Sequence, residues 1–219
     1  MKRTKTSKAW MREHVNDAFV KRANAEGLRS RAAFKLIEIA DRDRLFKPGM
    51  TVVDLGSAPG SWSKVAAQRV GSAGLVIAID LLDMAPIAGV SFVRGDLALA
   101  QTRQQIGLLL GARAPDLVLC DMAPNISGVA GVDQARASRL ALTALEFSAQ
   151  HLKPGGALLV KAFQGSALDE LREAMNKLFQ EVRVRKPAAS RGRSNEVYLL
   201  GKGRRDRRGS EPRGSSEAA

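Results

Sequence analysis

With 219 residues, 45% of them hydrophobic, the chain is long enough for one α/β domain with a full core plus extensions and too apolar for a mostly disordered protein. No apolar run approaches ~18 residues and none follows the basic N-terminus, which argues against a membrane span and a signal peptide and leads us to expect a cytoplasmic protein. The net charge of +13 sits at the two ends: residues 1–35 carry ten Lys/Arg against three Asp/Glu, and residues 183–219 carry eleven against four.

The elements follow in chain order. Residues Met1 to Ser7 are polar. Lys8 to Ala25 reads as a helix with Trp10, Val15, Phe19 and Val20 as buried positions, ended by Gly27. Ser30 is placed to N-cap a second helix through about Ala40, carrying Ala33, Phe34, Ile37 and Ile39. A Lys47-Pro48-Gly49 turn precedes the first strand, Thr51–Leu55, and Trp62–Val70 is its helix. Leu75–Asp80, Val90–Arg94 and Asp116–Asp121 are the next three strands. Gln134–Leu152 is a long helix closed by Lys153-Pro154-Gly155-Gly156. Ala157–Phe163 is strand five, and Ala167–Phe179 is a helix. Val182–Arg185 and Val197–Leu200 are the last strands. Continuous apolar strands between helical crossovers predict a mostly parallel seven-stranded sheet with helices on both faces. The polar link Lys186 to Asn195 contains no helix, so the last strand is expected to be antiparallel. Beyond Gly203 almost no apolar residue remains, which predicts a disordered basic tail.

The residues Asp54-Leu55-Gly56-Ser57-Ala58-Pro59-Gly60 join strand one to its helix. No Gly-Lys-Ser/Thr follows and the glycines do not fall as G-x-G-x-x-G, so neither common phosphate loop fits. The D-x-G-x-x-P-G pattern resembles the S-adenosylmethionine loop of class I methyltransferases. A tight βα turn without a ligand is the bland alternative. Later strands weigh against it, because Asp54, Asp80, Asp96 and Asp121 all stand at or near strand ends that share one edge in a parallel sheet. Carboxylates suit a ribose diol, an ammonium and an adenine amine. Asp80, 26 residues after Asp54, stands where a ribose-binding acid belongs. Asp96 is placed for the adenine edge, Gly56 and Gly60 for close backbone approach, and Trp62 for packing either on the cofactor or between helix and sheet.

Lys161 follows four apolar residues on a central strand, an expensive place for an ammonium unless it is used or snorkels to water. If strands four and five are neighbours, it shares a cleft with Asp121. Cys120, the single cysteine, reads as core, and two histidines offer no metal-ligand spacing, so no metal is expected.

These segments together resemble the bacterial FtsJ/RrmJ family (also called RlmE), ribose 2′-O-methyltransferases of large-subunit ribosomal RNA. The resemblance covers residues 8–203. It implies a class I S-adenosylmethionine-dependent, Rossmann-like fold and a Lys-Asp-Lys-Glu catalytic tetrad. Leu28 to Leu36 matches the segment of the first lysine, giving Lys35. Asp121-Met122-Ala123-Pro124-Asn125 gives Asp121, strand five gives Lys161, and Arg191 to Tyr198 gives Glu196. The cofactor positions carried over are Gly60, Trp62, Asp80, Asp96 and Asp121. The implied reaction is in-line methylation of a uridine 2′-hydroxyl in 23S rRNA of the 50S subunit, without a covalent enzyme intermediate, a required protein partner or a membrane, and with a monomer expected.

In that reaction Lys161 is the candidate base. Burial, the Lys35 ammonium and a sulfonium would lower its pKa, while Asp121 pulls the other way. Lys35 either positions the hydroxyl with Glu196 or meets a phosphate. The basic ends then suit RNA phosphates through Arg3, Lys5, Lys8, Arg12, Lys21, Arg22, Arg29 and Arg31, and through Lys186, Arg191 and Arg193. The expected division is a basic RNA-contacting extension over 1–29, a catalytic domain over 30–203, and the tail over 204–219. Another RNA substrate such as tRNA, or a non-enzymatic ribosome assembly factor, remain the alternatives.

Overall fold

The computed structural model describes residues 17–125, 127–190 and 194–206. Helices α1 (Ala18–Ala25) and α2 (Ala32–Asp43) lead into strand β1 (Thr51–Leu55). Then come α3 (Ser61–Val70), β2 (Leu75–Asp80), β3 (Val90–Arg94), α4 (Ala100–Leu110) and β4 (Leu117–Cys120). Helix α5 (Ala130–His151), β5 (Ala157–Phe163), α6 (Ser166–Leu178), β6 (Phe179–Arg185) and β7 (Glu196–Arg204) complete it. The seven strands form one sheet in the order β3-β2-β1-β4-β5-β7-β6. All neighbouring pairs are parallel except those of β7, which runs antiparallel to both β5 and β6.

Two cores sandwich the sheet, and the two-residue strand period decides which side chains enter each. Val53, Leu55, Val118, Cys120, Leu158, Val160, Val197 and Leu199 meet helices α4, α5 and α6 on one face. Val52, Leu117, Leu119, Leu159, Tyr198 and Leu200 meet α2 and α3 on the other. Continuing that alternation by one step puts Asp54, Asp121, Lys161 and Glu196 on the α2–α3 face, at the end where the parallel strands stop. Glu196 reaches this edge because β7 is antiparallel: its first residue pairs with the last of β5, Phe163.

Several boundaries differ from the sequence reading. Asp17 caps α1: its backbone is extended and its carboxylate accepts from the Phe19 N–H at 3.0 Å. The expected helix from Lys8 therefore does not run unbroken to Ala25; its earlier part lies outside the described residues. Helix α4 has no counterpart in the sequence reading. Only Thr102, Ile106 and Leu110 are buried on it, an interior Gly107 weakens it, and the exposed Leu108 and Leu109 blur its apolar stripe. Strand β6 begins at Phe179 rather than Val182. That ring is fully buried beside Gly201, where a Cβ would lie 2.5 Å from it. Strand β7 extends to Arg204, beyond the expected strand end at Leu200, and Arg204 Nη2 donates to the Ala149 carbonyl at 2.8 Å. The remaining tail, residues 207–219, lies outside the described residues.

Helix α2 is moored at its far end by Asp43, which is buried and accepts from Arg185 Nε and Nη2 at 2.6 Å each and from Arg183 Nη1 at 3.2 Å. The Arg185 hydrogen bonds hold its carboxyl below the usual aspartate range. This mooring fixes α2 along β6 and β7, and with it the position of Lys35.

Candidate active site

Four charged side chains alternate in sign along the carboxyl edge of the sheet. Lys35 Nζ donates to Glu196 Oε1 at 2.6 Å. Lys161 Nζ lies 3.1 Å from Glu196 Oε2 and 3.0 Å from Asp121 Oδ1. All four side chains are only 9–16% exposed, so the cluster is largely shielded from water. Two cations balance two anions, which is how charges are tolerated at this depth.

The balance fixes protonation. Burial pulls the Lys161 ammonium down, but Asp121 and then Glu196 outweigh it, and its pKa is pushed up to about 12. Burial raises Glu196, but Lys161 and Lys35 overcome that and hold it at about 2. Of the opposing influences read from the sequence, the upward pull of Asp121, joined by Glu196, outweighs burial in the protein by itself. The two carboxylates facing the amine dominate, and the neighbouring Lys35 is itself neutralised by Glu196.

Tyr198 joins this cluster and was given no role from the sequence. It is fully buried opposite Lys161 in the β5–β7 register, and its hydroxyl donates to Asp121 Oδ1 at 2.8 Å. Burial and the carboxylates of Asp121 and Glu196 drive its phenol pKa far upward, so it stays a donor. Ser190, 7% exposed, also enters, donating to Glu196 Oε1 at 3.0 Å. The available signal was period two: Tyr198, the single tyrosine of the chain, must share a strand face with Glu196.

The β1–α3 loop lies beside this cluster. Gly56 and Gly60 both take positive φ, 74° and 98°. A Cβ at Gly56 would stand 2.3 Å from Met122 Cγ, and one at Gly60 would stand 2.6 Å from Ile87 Cδ1 and 2.7 Å from Met84 Sδ. The positive φ thus favours glycine at both positions, and at Gly56 the closeness of the Met122 backbone adds to it. Asp80 fixes the loop to β2, its Oδ2 accepting from the Ala58 N–H and its Oδ1 from the Leu82 N–H, both at 2.8 Å. Asp96 is exposed and accepts from the Ala98 N–H at 2.8 Å.

Asp54 lies behind the loop, fully buried. Its Oδ2 accepts from Ser63 Oγ at 2.5 Å while its Oδ1 has no partner. Burial, aided by Asp121 and Asp80, pushes its carboxyl up to about 7. The buried Ser57 Oγ is also unpartnered. Orphaned buried polar atoms beside a glycine loop fit a polar ligand better than a closed turn.

Of the two roles open to Trp62, its ring takes the packing position between helix and sheet. It is 2% exposed, donates Nε1–H to the Ala32 carbonyl at 2.8 Å, and packs 5.6 Å from the Tyr198 ring. Its backbone lies in the first turn of α3, where N–H groups lack helical partners.

The expected RNA contacts divide. Lys21 is exposed on α1, and Arg22 is exposed while paired with Glu26 and stacked over Phe34. Arg29 instead gives its guanidinium to the carbonyls of Pro59, Ala85 and Pro86, each at 2.8 Å, bracing the loop at Gly60. Arg31 pairs with Asp17 and reaches the Ala189 carbonyl, and Lys186 donates to the carbonyls of Ser194 and Glu196. Arg3, Lys5, Lys8, Arg12, Arg191 and Arg193 lie outside the described residues. Among the described residues there is no metal-ligand cluster, and no helix is long and apolar enough to cross a membrane.

Comparison with known proteins identifies relatives of the whole chain. The FtsJ-like methyltransferase family model matches residues 28–204. The chain is 58% identical over 206 residues to Ribosomal RNA large subunit methyltransferase E of Nitrosospira multiformis, covering 94% of this chain and all of that one. It is 60% identical over 201 residues to the protein of the same name from Azoarcus sp., covering 92% and 98%. Among solved structures it is similar to a Plasmodium falciparum chain described as a ribosomal RNA methyltransferase. That match has a TM-score of 0.75 at 30% identity and covers 82% of this chain and all of that one.

Proposed function

Because the chain belongs to the FtsJ-like methyltransferase family, we propose that it methylates the 2′-oxygen of a ribose, a uridine in 23S rRNA of the 50S subunit, using S-adenosylmethionine. The observation that carries this reading is the dry Lys35–Glu196–Lys161–Asp121 chain beside the Gly56–Gly60 loop. The relatives' shared name, with large-subunit ribosomal RNA in it, supports the choice of RNA. A site that engages a 2′-hydroxyl selects RNA over DNA by itself.

The residues present fit the methyl donor. Asp80 and Asp96 each accept backbone N–H bonds at 2.8 Å and keep further lone pairs for hydroxyl or amine donors. Asp54 Oδ1 and Ser57 Oγ offer buried, unsatisfied polar atoms behind the loop. When bound, S-adenosylmethionine supplies an activated methyl group whose sulfonium is a good leaving group.

The protein's remaining task is to align a hydroxyl and take its proton. Lys161 is the candidate base, aimed by Asp121 and Glu196. It starts as an ammonium and must first shed a proton; lowering its pKa from about 12 to near 7 takes about 7 kcal/mol. The positive charge of a bound sulfonium and burial beneath a bound substrate both act in that direction. The neutral amine then accepts the 2′-hydroxyl proton as that oxygen attacks. Lys35 and Glu196 offer a donor and an acceptor to hold the ribose.

The test is methyl transfer from labelled S-adenosylmethionine to undermethylated 50S subunits, with free rRNA and tRNA in parallel and Lys161→Ala as the comparison. Label on one 23S ribose 2′-oxygen, reduced about 10²–10⁴-fold in the variant, is expected for loss of a general base. Label confined to tRNA would overturn the substrate, and no label on any RNA would overturn the activity.

A further inference from the structure

Glu196 is held by more than the two lysines. Its Oε1 accepts from Lys35 at 2.6 Å and from Ser190 Oγ at 3.0 Å, while Oε2 faces Lys161 at 3.1 Å. Two donors on one oxygen and one on the other fix the plane of the carboxylate. Among the described residues, removing Ser190 leaves Oε1 with Lys35, a long and flexible donor, so the carboxylate is held less firmly in its plane.

Ser190 is itself fixed. Its N–H donates to the Pro187 carbonyl at 2.9 Å, closing a turn over residues 187–190. That turn is mounted on α2. The Ala188 N–H donates to Glu38 Oε2 at 2.8 Å, and the Arg31 guanidinium reaches the Ala189 carbonyl. Ala189 is fully buried against Ala23 and Phe34. Arg31, Lys35 and Glu38 are spaced i, i+4, i+7 and so form one stripe of the helix. The same stripe thus presents the tetrad lysine and grips the turn on both sides of it. Lys186 secures the other end, donating to the Glu196 carbonyl at 2.7 Å.

The geometry points to Ser190 as a positioning residue of the methyl-transfer site, holding the Glu196 carboxylate so that Oε2 faces the Lys161 amine. Its kinetic consequence rests on the function proposed above; its effect on Glu196 rests on the contact alone. A hydroxyl buried for packing only would leave the carboxylate indifferent to its removal.

The experiment compares wild type, Ser190→Ala and Ser190→Thr, with melting curves to establish folding. In Ser190→Ala, kcat for methyl transfer to 50S subunits is expected to fall about tenfold with KM unchanged for both substrates, the size associated with losing one hydrogen bond to a charged group. The ¹³Cδ resonance of Glu196, read without RNA or methyl donor, shifts in Ser190→Ala and returns in Ser190→Thr together with kcat. An unmoved resonance, a wild-type kcat in Ser190→Ala, or a Ser190→Thr variant as impaired as the alanine overturns the inference. A wild-type protein that methylates no RNA while the resonance still shifts overturns the proposed function and leaves the positioning role standing.

Discussion

Replacing Glu196 with glutamine tests the charge balance on which the site depends. Glutamine keeps the volume and one acceptor oxygen but removes the carboxylate that Lys35 and Lys161 share, leaving Lys161 with Asp121 among the described residues. The carboxyl of Glu196 is depressed in the folded protein from 4.5 to about 2. A depressed carboxylate contributes stability that is present above pH 4.5 and lost as the pH falls through about 2. The difference corresponds to about 3 kcal/mol, and at 9% side-chain exposure solvent screens little of it. Urea unfolding should therefore show Glu196→Gln less stable by about 3 kcal/mol at pH 7, with the gap shrinking to about 1 kcal/mol at pH 3. The variant should also lower the Lys161 pKa from its value of about 12, read from its ¹⁵Nζ resonance, because one of two counter-ions is gone. A loss under about 1 kcal/mol at pH 7, or an equal loss at both pH values, would refute the reasoning.

Two further substitutions separate jobs that look alike in the sequence. Asp54 has its carboxyl raised from 3.8 to about 7, so the stability it contributes is full below pH 3.8 and is lost as pH rises through about 7. Between pH 5 and 9, Asp54→Asn should gain about 3 kcal/mol on wild type in urea unfolding; a constant difference across that range speaks against an ionising Asp54. Arg29→Ala should weaken S-adenosylmethionine binding in calorimetry, since three carbonyls bracing the loop at Gly60 lose their donor. The slope of log RNA affinity against log salt should stay the same, whereas loss of a phosphate contact would reduce it by about one.

Much of this molecule is legible in its residue order. Apolar strands such as Val52-Val53 and Leu117-Val118-Leu119, separated by helical crossovers, dictate a parallel sheet buried on both faces, because only such strands hide both sides at once. Strand-end acids fall on one edge because parallel strands stop together. The period of two sends Lys161 and Tyr198 to the same face without any knowledge of the partners waiting there. Helix α4 escaped the sequence because its burial is too sparse to leave a periodic signal.

What only the tertiary structure decided is who meets whom. Lys35 and Glu196 lie 161 positions apart, and their 2.6 Å contact depends on Asp43 mooring α2 and on β7 running antiparallel. The charge on Lys161 follows from two carboxylates at about 3 Å, a distance no spacing encodes. Trp62 and Arg29, both plausible ligand contacts by position, are spent on the Ala32 carbonyl and on the carbonyls around Gly60. Spacing along the chain sets the face and the end at which a side chain emerges. The partner it finds, and hence its protonation and its task, is set by packing between elements remote in sequence.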